Sequence, residues 1–321
     1  MDFVDQILKG DRLTLARVIS QIESNEPAAE DAIDQLFRYS GQAHLIGITG
    51  PSGAGKSTLV NVLVKNMLSQ DGKKHIGVIA VDPTSPFSGG AILGDRIRMR
   101  DVASNSNVFV RSMATRGALG GLAHSTNAVS LVLDAAGYDP VIIETVGAGQ
   151  AEVDVARLAH TTIVVEAPGL GDDVQVIKAG ILEVADILVV NKSDRPGANG
   201  IVQSLKSMLE MGYSIHINGS ADKPPPTVWI PPVLCTVALD GKGVEDLIHA
   251  IHEHQQMIRS NGDWQKRELT RMRSWVDQLF QEALTSQWKN ADSHKNYQKV
   301  IAAVVEHKIT PFQAVEQLLK R

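Results

Sequence analysis

The run Gly50-Pro51-Ser52-Gly53-Ala54-Gly55-Lys56-Ser57-Thr58 has the residue types and spacing of a phosphate cradle, G-x-x-x-x-G-K-[ST]. Glycines let successive backbone N–H groups converge on an anion, and a helix N-terminus behind them adds unpaired donors and a favourable dipole. Lys56 can reach the β- and γ-phosphates of a bound nucleotide, and the Ser57 hydroxyl can ligate magnesium. Farther along, Asn191-Lys192-Ser193-Asp194 follows an apolar run. The Asp194 carboxylate can accept hydrogen bonds from the ring N1–H and exocyclic amino group of guanine, a pair that adenine lacks, while Asn191 and Lys192 would brace the loop and the base.

Such a cradle works only between a strand and a helix. His44–Thr49 reads as a short buried strand, and Leu59-Val60-Asn61-Val62-Leu63-Val64 opens a helix. Short β-branched runs then alternate with helical patterns, as a parallel sheet covered on both faces requires. The strand candidates are 44–49, 75–82, 107–111, 140–144, 161–166, 186–191 and 232–236. Three of these runs end at Asp82, Glu144 and Asn191, and ligands of open α/β sheets lie beyond the carboxyl ends of the strands. The expected fold is therefore α/β, a P-loop domain with a mostly parallel central sheet.

Around that sheet the pattern is helical. Residues 1–41 read as two short helices, the first capped by Asp11 and the second started by Pro27. Residues 42–260 form the expected P-loop domain, and 261–321 a helical extension. In that extension Trp264, Leu269, Met272, Trp275, Val276, Leu279, Phe280 and Leu284 recur at three- and four-residue intervals, a broad apolar stripe suited to packing on the main domain or on another subunit.

The composition is that of a globular protein: 43% hydrophobic, 21% charged, with a formal net charge of -5 that offers nucleic acid or an anionic membrane no positive field. A single cysteine, Cys235, cannot form an internal disulfide or supply the paired thiolates of a structural metal site, and its apolar surroundings predict a buried strand position. The acidic, amphipathic start does not resemble a signal or transit peptide, and no apolar stretch reaches membrane-spanning length, so a cytoplasmic location is expected.

The segments Val81–Arg96, Arg116–Gly121 and Glu144–Gln150 closely resemble the MeaB/ArgK group, GTPases associated with methylmalonyl-CoA mutase and related acyl-CoA mutases, and the resemblance covers nearly the whole chain. It implies a homodimer formed through the C-terminal helices, binding GTP or GDP with Mg²⁺. It also implies a metallochaperone role, gating adenosylcobalamin delivery to a mutase and protecting or reactivating that enzyme. The family's magnesium-linked acidic positions fall on Asp82, Asp95 and Glu144, beside Ser57. Its mobile third switch corresponds to Ala167–Lys178, which makes Lys178 the residue associated with hydrolysis, alongside Lys56 and Glu144. The nucleotide positions comprise Ser52, Gly53, Ala54, Gly55, Lys56, Ser57, Thr58, Asn191, Lys192 and Asp194, with Thr236, Val237 and Ala238 beside the base. A Ser-Ala pair is usual at the last of these, so Val237 removes a hydroxyl while leaving backbone contact to guanine O6 available.

The residues by themselves leave Asp95 equally suited to capping a helix, Lys178 to a solvated helix face, and Gln150 to orienting water or to a surface role. Three other functions compete. A nickel-delivery GTPase would want paired cysteines or histidine-rich tracts, whereas only His249, His252 and His254 cluster, on what reads as an exposed polar helix with His254 directed away from the other two. A protein kinase of a transport system and a nucleotide-gated adaptor with incidental hydrolysis are the others.

Overall fold

The computed structural model describes residues 3–82, 99–114, 121–145, 151–170, 183–216, 229–287 and 291–319. Among the described residues seven strands, β1 (Leu45–Thr49), β2 (Ile76–Asp82), β3 (Val108–Ala114), β4 (Val141–Thr145), β5 (Thr161–Glu166), β6 (Ile187–Asn191) and β7 (Val233–Thr236), form one sheet in the order β3-β2-β4-β1-β5-β6-β7. Every pairing is parallel. All seven lie where the apolar runs predicted them. Only β3 is longer than its expected run, continuing from Ser112 to Ala114, because an edge strand tolerates a polar side chain that a central one would have to bury.

The central strands are buried along their whole length, as helices on both faces require. Helix α4 (Lys56–Gln70) follows β1 and packs with Val244–Ser260 (α9) through Leu59, Leu63, Met67, Leu247 and Ile251 against Ile46, Ile48, Ile163 and Val165. A second cluster sets Ile201 and Leu205 of Ala198–His216 (α8) against Leu188 and Val190 of β6. Among the described residues α5 (Arg100–Ala103) joins the first of these faces through Val102, while α6 (Gly121–Ala135) and α7 (Ala151–Leu158) lie on the other, with Leu133 beside Gly77 and Val155 beside Gly47.

Ahead of the sheet stand three helices where two were expected: α1 (Phe3–Leu8), α2 (Arg12–Glu23) and α3 (Pro27–Leu36). The six residues of α1 carry too short a period to be read from sequence, but Val4 and Ile7 are buried and hold it in place. Asp11 caps α2 as expected, its Oδ1 accepting from Leu13 N at 2.9 Å and Thr14 N at 3.4 Å. Arg12 ties α2 to the sheet edge, donating to the carbonyls of Asn105, Ser106 and Val108 at 3.2, 2.6 and 2.6 Å. Arg111 of β3 pairs with Glu23 from the same helix.

Two sequence expectations are corrected here. Cys235 is exposed, because its apolar run forms β7, which among the described residues has a neighbour on one side only. His254 is fully buried, because α9 presents it to the sheet with Ile251 and Ile258, so the three-histidine stretch is not an exposed polar face.

The chain divides into two compact units, Met1–Arg271 and Met272–Arg321. The division falls within α10 (Asp263–Gln287), and the second unit continues with α11 (Ala291–Val305) and α12 (Pro311–Leu319). In this second unit Trp275 is buried, but Val276 is 61% and Phe280 63% exposed, with Leu279 and Leu284 beside them on the helix. Among the described residues no helix is long and apolar enough to cross a membrane.

Candidate functional site

Parallel strands bring their carboxyl ends to one edge, and the loops that follow β1, β6 and β7 meet there beside the end of β4. Gly50 leaves β1 at φ 138, and a Cβ at this position would lie 2.1 Å from the Val165 carbonyl of β5; only glycine fits. Gly55 caps α4 at φ 90, where a Cβ would fall 2.5 Å from Asn191 Nδ2. The loop is thus wedged between β5 and the residue that ends β6.

Lys56 is the first residue of α4 and is buried, its Nζ donating to the carbonyls of Gly50 at 2.8 Å and Pro51 at 3.0 Å. The ammonium is therefore folded over the loop it would serve. Ser57 is also buried, and its Oγ donates to Glu144 Oε1 at 2.6 Å. A hydroxyl and a carboxylate this close offer two hard oxygen donors at the helix N-terminus, the chemistry that magnesium selects. Ser52 and Gly53 are exposed, Ala54 is buried, and Thr58 is half-buried.

The guanine-type element assembles on the same loop. Asn191 is buried: its Nδ2 donates to the Ala54 carbonyl at 2.8 Å, and its Oδ1 accepts from Thr236 Oγ1 and Ala238 N, each at 3.1 Å. One side chain thereby fixes the phosphate loop, β6 and the start of the turn after β7. Lys192 takes φ 56, and its Nζ donates to the Gly53 carbonyl at 2.6 Å. Ser193 N donates to the Thr236 carbonyl at 3.0 Å, which leaves Asp194 exposed at the rim. Val237 is half-buried and its N–H donates to the Lys242 carbonyl at 3.1 Å.

Asp82 ends β2, and Val81 before it is in register with Thr145 of β4. Asp95, Gln150 and Lys178 lie outside the described residues. Two buried features at this edge were not singled out from sequence. The Thr145 hydroxyl donates to Thr49 Oγ1 at 3.0 Å, linking the end of β4 to the residue before Gly50, and Glu166 ends β5 as a buried carboxylate. A polar residue closing an apolar strand is the signal that marks all three.

The model of the family described as methylmalonyl Co-A mutase-associated GTPase MeaB matches residues 15–293. A putative GTPase of Pyrococcus abyssi is 40% identical over 319 residues, covering 99% of this chain and 95% of its own. GTPase ArgK of Escherichia coli is 34% identical, covering 98% and 94%. The mitochondrial methylmalonic aciduria type A homolog of mouse is 31% identical, covering 99% and 79%. A solved structure described as a LAO/AO transport system kinase superposes with a TM-score of 0.70 at 28% identity, covering 98% of this chain and 95% of that one. A glycine loop wedged against an Asn-Lys-x-Asp element, in a parallel sheet matched over nearly its full length, leaves one assignment: the chain is a P-loop GTPase and belongs to the MeaB family of methylmalonyl-CoA mutase-associated GTPases.

Proposed function

We propose that this GTPase uses Mg²⁺-dependent GTP binding and hydrolysis to gate adenosylcobalamin delivery to a cobalamin-dependent acyl-CoA mutase, and to protect or reactivate that enzyme. The observation that carries this reading is the family match across residues 15–293, whose description couples the GTPase to methylmalonyl-CoA mutase.

At the site, Lys56 exchanges the Gly50 and Pro51 carbonyls for phosphate oxygens, and the first amides of α4 receive the same phosphates. Ser57 and Glu144 hold the magnesium, with Asp82 and Asp95 contributing directly or through water; when bound, the ion neutralises charge on the phosphates. Asp194 accepts the guanine N1–H and amino protons, and the backbone of Val237-Ala238 faces O6. Lys178 supplies positive charge to the transferring phosphoryl group. The C-terminal helices pair two copies of the chain through the exposed face containing Val276 and Phe280.

The structural relative described as a transport-system kinase favours a second reading, phosphoryl transfer to a protein. Incubation with γ-labelled GTP separates the two. Release of labelled inorganic phosphate without labelled protein supports hydrolysis, and a labelled protein product formed at the same rate supports the kinase. Lys178→Ala addresses the adaptor reading: mutase activation that persists when hydrolysis is lost would assign the switching to nucleotide binding alone.

A further inference from the structure

At the opposite edge of the sheet, the amino ends of β1, β5 and β6 enclose a network of titratable groups that nucleotide chemistry does not use. His44, His160 and Asp186 immediately precede these three strands, His254 comes from α9, and Arg267, Glu268 and Arg271 come from the first turns of α10.

The contacts assign the protons. Leu45 N–H donates to His160 Nδ1 at 3.1 Å, so that nitrogen carries a lone pair, and the proton of the neutral ring sits on Nε2, 3.2 Å from Glu268 Oε2. The Thr161 hydroxyl lies 2.7 Å from His44 Nε2 and 2.8 Å from His254 Nδ1. Having one proton, it donates to one ring and accepts from the other. His254 Nε2 faces Asp186 Oδ1 at 3.2 Å, which favours the proton on that nitrogen and directs the chain from His44 through Thr161 to His254.

Guanidinium groups close the network. Arg267 donates to both Asp186 oxygens at 2.7 Å and to the His160 carbonyl at 2.9 Å. Arg271 donates to Glu268 at 2.7 Å and to Asn127 at 3.2 Å. Trp264 stacks on the His160 ring with centroids 3.8 Å apart, and Arg259 lies 4.2 Å from the Trp264 ring centre. Asp134 lines a small cavity with His160, Glu268 and Arg271, and His252 lines another with His44.

Adding a proton has a defined consequence. On His160 it must go to Nδ1, where it confronts the Leu45 N–H and breaks the bond that fixes the first residue of β1. Burial, with Arg271 and Arg267 nearby, holds His160 below the ordinary imidazole range despite Glu268; burial, with His160, His254 and Arg259 around it, holds His44 well below that range. Although burial opposes it, hydrogen bonds from His160 and Arg271 keep Glu268 ionised, with a pKa of about 2.

We propose that this cluster is an acid-sensitive latch that seats residues Asp263–Arg271 of α10 on the amino ends of β1 and β5. A neutral His160 closes it, and a proton on its Nδ1 opens it.

Amide hydrogen exchange of peptides covering 44–49 and 263–271, corrected for intrinsic chemistry, tests the latch on the full chain at about pH 7.5 and about pH 5.5. One coupled proton predicts loss of protection approaching tenfold per pH unit once the pH falls below the ordinary imidazole value. In His160→Asn the side-chain oxygen can still accept from Leu45 N–H but cannot take a proton, so the acid response is expected to shrink by that proton's share, leaving only the response of His44. Unchanged protection in the wild-type chain, or an equal acid response in His160→Asn, overturns the proposal. Should that variant fail to fold, imidazole ¹⁵N spectra of the wild-type chain decide: an Nε2–H tautomer still neutral at about pH 6.5 supports the latch, and a ring titrating at the ordinary imidazole value refutes it.

Discussion

The Ser57 hydroxyl and the Glu144 carboxylate are joined by a 2.6 Å hydrogen bond that ties the first turn of α4 to the end of β4. Both side chains are buried, so the oxygens proposed to hold magnesium are already held in place by the fold. Positioning them before binding reduces the ordering cost that an open, solvated pair would incur.

Glu144→Gln keeps the shape and removes the charge. The magnesium concentration needed for half-maximal GTP hydrolysis is expected to rise about 10–100-fold, a cost typical of disturbing a metal site's oxygen network, while metal-free GDP binding changes little. Titrating Mg²⁺ in a hydrolysis assay checks this. An unchanged requirement would place the ion elsewhere.

Asp194→Asn converts one acceptor into a donor at the position proposed to read guanine. Losing two charge-assisted hydrogen bonds should weaken GTP binding by about a hundredfold, and xanthosine triphosphate, with a carbonyl in place of the amino group, should become the preferred ligand. Competition between the two nucleotides measures the exchange of preference. Restoring the missing hydroxyl with Val237→Ser should raise guanine selectivity without altering phosphate binding.

The sheet and the phosphate edge were legible for a simple reason. Each strand is a β-branched run bounded by turn residues, and each polar residue that closes such a run, Asp82, Glu144 and Asn191 among them, is carried to the same edge by parallel topology. What depends on neighbours was not legible. The apolar run around Cys235 reads the same for a central or an edge strand, and sheet order alone decides that it is exposed. His44, His160, Asp186, His254 and Arg267 are scattered over more than half the chain, and no spacing rule joins them; three strands starting at one edge do.

The same histidines set a pH dependence of stability. His44 and His160 bind protons less readily folded than unfolded, so between the ordinary imidazole value and the lower folded ones the unfolded chain holds more protons. Stability therefore rises with pH across that window. It is full above about pH 6.5 and lost progressively below it, and urea midpoints measured from about pH 7.5 to about pH 5 should fall accordingly. A midpoint that rises on acidification would contradict this assignment.

The exposed apolar face of α10 is the proposed dimer contact. Phe280→Glu places a charge in the middle of it, beside Val276 and Leu284, and leaves the residues of the nucleotide site untouched. Light scattering is expected to show the mass of one chain for the variant and of two for the wild type, with GTP affinity unchanged. A wild-type protein with the mass of one chain would remove the homodimer from the account.

The most direct test of the central claim is adenosylcobalamin loading of a candidate acyl-CoA mutase, followed by visible absorbance with this protein bound to GTP, to GDP or to no nucleotide. The account predicts that the two proteins co-purify, that loading differs between the GTP and GDP states, and that Lys56→Ala, which lacks the phosphate-binding ammonium, abolishes the difference. Identical loading in all three states by a mutase that does co-purify would contradict nucleotide gating.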